Sequence, residues 1–221
     1  MIKFKYPIIL IFIIFGSLGF VLLISERHNQ LNTNTEMPAI ENNNAPPSPD
    51  QTPPAKKIAE PISYALTRIT KKSFGIKVTP QDSPVQPERF SGYHTGVDFE
   101  TFPDEQNSDV QIYAICAGPL ISKKIATGYG GVAVQQCQIE NADVTVIYGH
   151  LRLTSITANL NQILESGQTL GLLGTGFSTE TSGERKHLHL GIHQGKNINL
   201  LGYVQSQGDL TQWLDFKALF E

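Results

Sequence analysis

The chain beyond about residue 62 is a succession of short apolar runs. Residues 110–116, 120–126, 131–137, 144–148 and 187–193 are rich in Val, Ile, Thr and Tyr, and Gly and Pro punctuate the stretches between them. This pattern predicts an antiparallel sheet with hairpins. Thr127-Gly128-Tyr129-Gly130 is the expected turn between two of the strands. The run 187–193 alternates, so a period of 2 sets His187 and His189 side by side on one face. Leu188, Leu190 and Ile192 then point the other way, into a core. Residues 155–166 suit a short helix or a loop with a strand, and periodicity does not decide between them. Near the carboxy terminus, Trp213, Phe216, Leu219 and Phe220 recur at roughly helical spacing. They read as core packing rather than as a ligand box.

The amino-terminal region breaks this pattern. Residues 7–24 form an uncharged apolar run preceded by Lys3 and Lys5. That length is just enough to span a bilayer and long for the apolar part of a signal peptide. No Ala-x-Ala site follows, and no Cys is present for lipid attachment. An uncleaved single transmembrane helix is therefore expected, with the lysines holding the amino terminus in the cytoplasm and the rest exported. Residues 29–61 are rich in Asn, Thr and Pro and poor in apolar side chains. They are expected to be a disordered linker, able to hold a domain up to roughly 100 Å from the membrane. The organisation predicted is a cytoplasmic stub and anchor over 1–28, a linker over 29–61 and a folded domain over 62–221.

Composition adds exclusions rather than leads. With 40% hydrophobic and 17% charged residues and a formal net charge of -3, the chain has no basic footprint for nucleic acid. Cys116 and Cys137 are its only cysteines. In an exported domain they are expected to form one disulfide between neighbouring strands, beside the predicted turn. The alternative, a pair of zinc thiolates, would need a reducing compartment and further soft ligands.

Three constellations carry candidate chemistry. In the first, His94 and Asp98 lie four residues apart around Gly96, where a Gly- and Pro-rich loop becomes an apolar strand. Imidazole nitrogen and carboxylate oxygen are both good zinc donors. The second is Tyr148-Gly149-His150-Leu151, where a strand ends in a histidine, and the third is His187-Leu188-His189. Each alone is weak, because a loop histidine beside an aspartate, or a polar strand face, has the same appearance.

In this order, and joined by the glycine-punctuated run 166–178, the three resemble the motifs of the lysostaphin-type, LytM-like zinc endopeptidases of bacterial cell walls. The resemblance covers about residues 74–193. It implies a mainly β domain with an active-site groove, zinc as cofactor and peptidoglycan as substrate. It further implies His94, Asp98 and His189 as zinc ligands, with His150 and His187 as catalytic histidines. Three protein ligands leave one position open, as in catalytic rather than structural zinc sites. No His-Glu-x-x-His helix is present, so histidines would have to do the proton work. His193 shares the strand face but has no role in the motif, and is expected at the rim. The segment before the histidine pair, 178–186, is longer than the compact loop usual in the family, so one cleft wall should differ in shape. The rival reading is a non-catalytic relative that binds cell wall or activates another hydrolase, but such relatives typically lose zinc ligands.

Overall fold

A computed structural model describes residues 58–220. The expected anchor, and all of the linker before residue 58, lie outside the described residues. Among the described residues, no helix is long and apolar enough to cross a membrane.

Among the described residues, twelve strands supply most of the regular secondary structure. They are β1 (Lys77–Val78), β2 (Gly92–His94), β3 (Gly96–Glu100), β4 (Gln111–Tyr113), β5 (Gly118–Ala126) and β6 (Gly130–Ile139), followed by β7 (Ala142–Gly149), β8 (Leu151–Arg152), β9 (Ile163–Leu164), β10 (Thr169–Leu173), β11 (His187–Gln194) and β12 (Tyr203–Val204). The main sheet has six strands in the order β3-β11-β7-β6-β5-β9, and its pairings are antiparallel. Two three-stranded sheets accompany it, β1-β2-β12 and β4-β10-β8. One α-helical turn, Ala65–Arg68, and several short 3-10 turns complete the described chain. The mainly antiparallel β class expected from the alternation is therefore what forms.

The predicted hairpin is present. Strands β5 and β6 pair from Leu120↔Gln135 to Ala126↔Gly130, and the turn between them contains Gly128 and Tyr129. The ambiguous stretch 155–166 is a loop with the short strand β9, preceded by a 3-10 turn at Leu153–Ser155. At the carboxy terminus the backbone forms 3-10 turns, Gln207–Gln212 and Lys217–Leu219, rather than one helix. The packing expectation there stands, because Trp213 and Phe216 are buried.

The core lies between the main sheet and the β4-β10-β8 sheet. Val97 and Phe99 of β3, Val146 and Tyr148 of β7, and Leu188, Leu190 and Ile192 of β11 meet Ile112, Leu151, Leu170 and Leu173. Removing such surface from water stabilises the fold by about 25 cal/mol per Å² of apolar area. The opposite face of the main sheet carries a smaller apolar cluster of Tyr129, Val132, Val134, Ile147 and Trp213. Both faces of β11 are thus covered, and every residue from His187 to His193 is buried.

Cys116 and Cys137 form a disulfide with Cα atoms 6.2 Å apart, tying the lead-in of β5 to β6. The zinc-thiolate alternative is thereby set aside. Beside the disulfide, the buried Tyr148 hydroxyl donates to Gln135 Oε1 and accepts from the Ile115 amide, both at 2.9 Å. The bridge closes a loop with a sequence separation of 21. Loops of that size correspond to stabilisation on the order of 3 kcal/mol. Reduction should lower the melting temperature accordingly, and an unchanged melting curve after reduction and alkylation would contradict this.

Candidate metal centre

Register brings the candidate residues together. Strand β11 lies between β3 and β7, so His189 is opposite Asp98 on one side and Gly149 on the other. His187 pairs with Glu100, two residues beyond Asp98 on the same face of β3. His150 follows Gly149 directly and adopts the left-handed region, with φ 64. That backbone is held from both sides, since the His150 amide donates to Tyr129 O at 3.2 Å and its carbonyl accepts from Gly174 at 2.8 Å. A non-glycine residue held there is a strained conformation of the kind that clusters at functional sites. His94 arrives from the small sheet at the end of β2, where it pairs with Tyr203 of β12.

Three donor atoms converge. His94 Nε2 and His189 Nδ1 are 3.0 Å apart, His189 Nδ1 and Asp98 Oδ1 are 3.1 Å apart, and His94 Nε2 and Asp98 Oδ1 are 3.3 Å apart. Tetrahedral zinc with bonds of about 2.0–2.1 Å separates its ligand atoms by roughly 3.3 Å, so the triangle is of the right size. The remaining ring nitrogens fit as well. His94 Nδ1 lies 3.2 Å from the Ser73 carbonyl, and His189 Nε2 lies 3.4 Å from the Tyr129 hydroxyl. Donating those protons outward leaves a lone pair on each inward nitrogen, the arrangement that orients metal-binding histidines. His94, Asp98 and His189 are the group among the described residues that could hold a metal ion, and all three are buried.

Gly96 of the His-x-Gly-x-Asp motif has a steric reason. A Cβ there would sit 2.5 Å from the Leu190 carbonyl oxygen and 2.8 Å from the His189 ring. Only hydrogen fits between the two strands at the point where they deliver the donor atoms.

His150 and His187 sit beside the triangle, with ring centroids 4.3 Å apart. His187 Nδ1 donates to the Arg185 carbonyl at 2.9 Å, and its Nε2 lies 3.3 Å from Asp98 Oδ2. His150 Nδ1 is buried without a hydrogen-bond partner. Burial first, then the neighbouring His187, pushes the His150 imidazole well below its usual pKa, so it is neutral at pH 7. Burial likewise lowers His189, to about 4, against the opposing pull of Asp98. Burial opposes ionisation of Asp98, but the electrostatic pull of His187 and His94 and the polar contacts with His187 and His189 outweigh it, holding the carboxyl well below the usual range. An ionised Asp98 carboxylate and a neutral His189 imidazole are the forms in which these two groups bind a cation.

These side chains border a cavity of about 300 Å³ whose walls include Lys72, Tyr129, His150, Arg185, His187 and Tyr203. The segment 178–186 does supply one wall, through Glu184 and Arg185. His193 is not at the rim. It is buried with its ring 4.8 Å from that of Trp213, because the carboxy-terminal turns fold back over this end of β11. Tyr129, Arg185 and Tyr203 line the site without having been among the candidate residues of the sequence. For Arg185 a signal existed, since it lies two residues before His187 and so on the same face as both strand histidines. For Tyr129, seen only as a turn residue, and for Tyr203, distant in sequence, there was none.

No curated protein matches the chain. Among solved structures, Helicobacter pylori Csd3 is similar with 20% identity and a TM-score of 0.43 over 75% of this chain and 39% of its own. This chain thus spans well under half of Csd3. LytU is similar with 20% identity and a TM-score of 0.46 over 68% of this chain and 82% of its own. A zinc-containing peptidase from Vibrio cholerae is similar with 20% identity and a TM-score of 0.41 over 63% of this chain and 37% of its own. A family model, Peptidase family M23, matches residues 92–200, which hold all five candidate residues from His94 to His189. The part of the chain that carries this His-Asp-His triangle is thus similar to Peptidase family M23.

Proposed function

We propose that this domain is a zinc-dependent endopeptidase that hydrolyses peptide bonds in peptidoglycan. The observation that carries the reading is the convergence of His94 Nε2, Asp98 Oδ1 and His189 Nδ1 at zinc-ligand spacing beside two further histidines. Zinc held there would polarise the scissile carbonyl and lower the pKa of a water in its open position toward 7. His150, neutral and with Nδ1 unpartnered, is suited to accept a proton from the attacking water. His187, oriented by donating its Nδ1–H to the Arg185 carbonyl, lies beside His150 and would help orient the attacking water through Nε2. The cavity beside them would position the peptide.

Zinc analysis of the purified domain, followed by digestion of isolated peptidoglycan, tests the proposal. About one zinc per chain and release of new amino termini are expected. Zinc without cleavage would favour the rival wall-binding or hydrolase-activating role, and absence of both would remove the metallopeptidase reading. We also propose that the run 7–24 tethers the domain on the extracytoplasmic side of the cell membrane. Full-length protein should then stay with the membrane fraction. Release of a form beginning near residues 25–35 would show a cleaved signal instead.

A further inference from the structure

The two oxygens of Asp98 have separate surroundings. Oδ1 belongs to the donor triangle, 3.1 Å from His189 Nδ1 and 3.3 Å from His94 Nε2. Oδ2 accepts from Arg185 Nη2 at 3.0 Å and lies 3.3 Å from His187 Nε2. Arg185 is itself fixed by Glu100, which accepts from its Nε at 2.9 and 3.0 Å and also from its Nη2. The Arg185 side chain is 12% exposed and Glu100 is 13% exposed, with Lys71 3.4 Å away as a further cation on Glu100. Asp98 and Glu100 alternate along β3, and Arg185, His187 and His189 alternate along the approach to β11 and the strand itself. The whole network is therefore built on one face of two paired strands.

We propose that Arg185 is a positioning residue that, anchored by Glu100, holds Asp98 as a one-oxygen ligand to the metal. This rests on the metallopeptidase reading above. A free carboxylate beside a divalent cation can bind through both oxygens. Here, turning Oδ2 toward the metal would forfeit a charge-assisted hydrogen bond within a mostly buried ion-pair network. Keeping that oxygen back preserves the open position that a catalytic zinc requires. The guanidinium is suited to the task because its planar fork can bind two carboxylates at once, which a lysine ammonium cannot do with the same geometry.

The test uses the full chain with Arg185→Gln, Arg185→Lys, Glu100→Gln and, as reference, Asp98→Ala. Zinc dissociation constants are measured by chelator competition, and the visible absorption of the cobalt(II)-loaded proteins reports coordination number. Arg185→Gln is expected to weaken zinc binding about 10–100-fold, the usual effect of removing a group that orients a ligand. Its cobalt bands should weaken as coordination rises above four. Arg185→Lys should show the same spectral change despite retaining the charge, and Glu100→Gln a smaller one. Wild-type affinity and spectrum in Arg185→Gln, with metal lost in Asp98→Ala, would overturn the proposal while leaving the metal site intact. Wild-type zinc affinity in Asp98→Ala would overturn the metal reading itself, and the proposal with it. If Arg185→Gln fails to fold, Glu100→Gln and Arg185→Lys decide, and unchanged spectra in both overturn it.

Discussion

Replacing His189 with alanine is expected to abolish zinc binding, and peptidoglycan cleavage with it. His189 supplies one of three converging donor atoms, and its ring also fills the space between Gly96 and Tyr129. Two remaining donors cannot hold a catalytic zinc at ordinary free-metal levels. His150→Ala should behave differently. It leaves the triangle untouched, so about one zinc per chain should remain while turnover falls roughly 10²–10⁴-fold, the range for a lost general acid or base. His193→Ala separates packing from chemistry. Because His193 is buried against Trp213, the variant should lose stability but keep its zinc and, when folded, its activity. Metal analysis, melting curves and cleavage rates on the three proteins check these outcomes together. A metal-free His150→Ala, or a folded His193→Ala as inactive as His189→Ala, would show that the roles are misassigned.

Gly96→Ala is the second substitution with a large expected effect, although it removes no functional group. The added methyl would lie 2.5 Å from Leu190 O and 2.8 Å from the His189 ring, with backbone on one side and a ligand on the other. Relief requires β3 and β11 to separate or His189 to rotate away from His94 and Asp98. Overpacking of this kind costs about 1–3 kcal/mol. For a domain of this size that corresponds to a melting temperature lower by roughly 2–4 °C per kcal/mol. Zinc affinity should fall more steeply than stability, because the displaced group is a ligand. Gly208→Ala is the matched control, since the nearest atom to its new methyl is Ser206 Oγ at 3.7 Å. Equal zinc affinity in the two variants would contradict this account of the motif glycine.

Much of this was legible in the sequence because the signals are local and periodic. Alternation through 187–193 specified a strand with its histidines on one face, and pairing with β3 and β7 only completed it. The glycine in the turn before β6 and the apolar runs around it specified the hairpin. The ordered histidine and aspartate motifs identified the residues that converge, through their resemblance to a known family.

What tertiary structure alone decided depends on contacts between distant segments. The chain pattern shows no preference for Ser73 or Tyr129 as acceptors for the outward nitrogens of His94 and His189, yet those contacts leave the inward nitrogens free to bind a metal. Arg185 sat within a loop of uncertain shape until β3 placed Glu100 and Asp98 against it. His193 reads as one more histidine on a polar face, and becomes a packed residue only because Trp213 returns to cover it. A strand's period determines which face a side chain takes, whereas what covers that face is determined by the segments that fold back onto it.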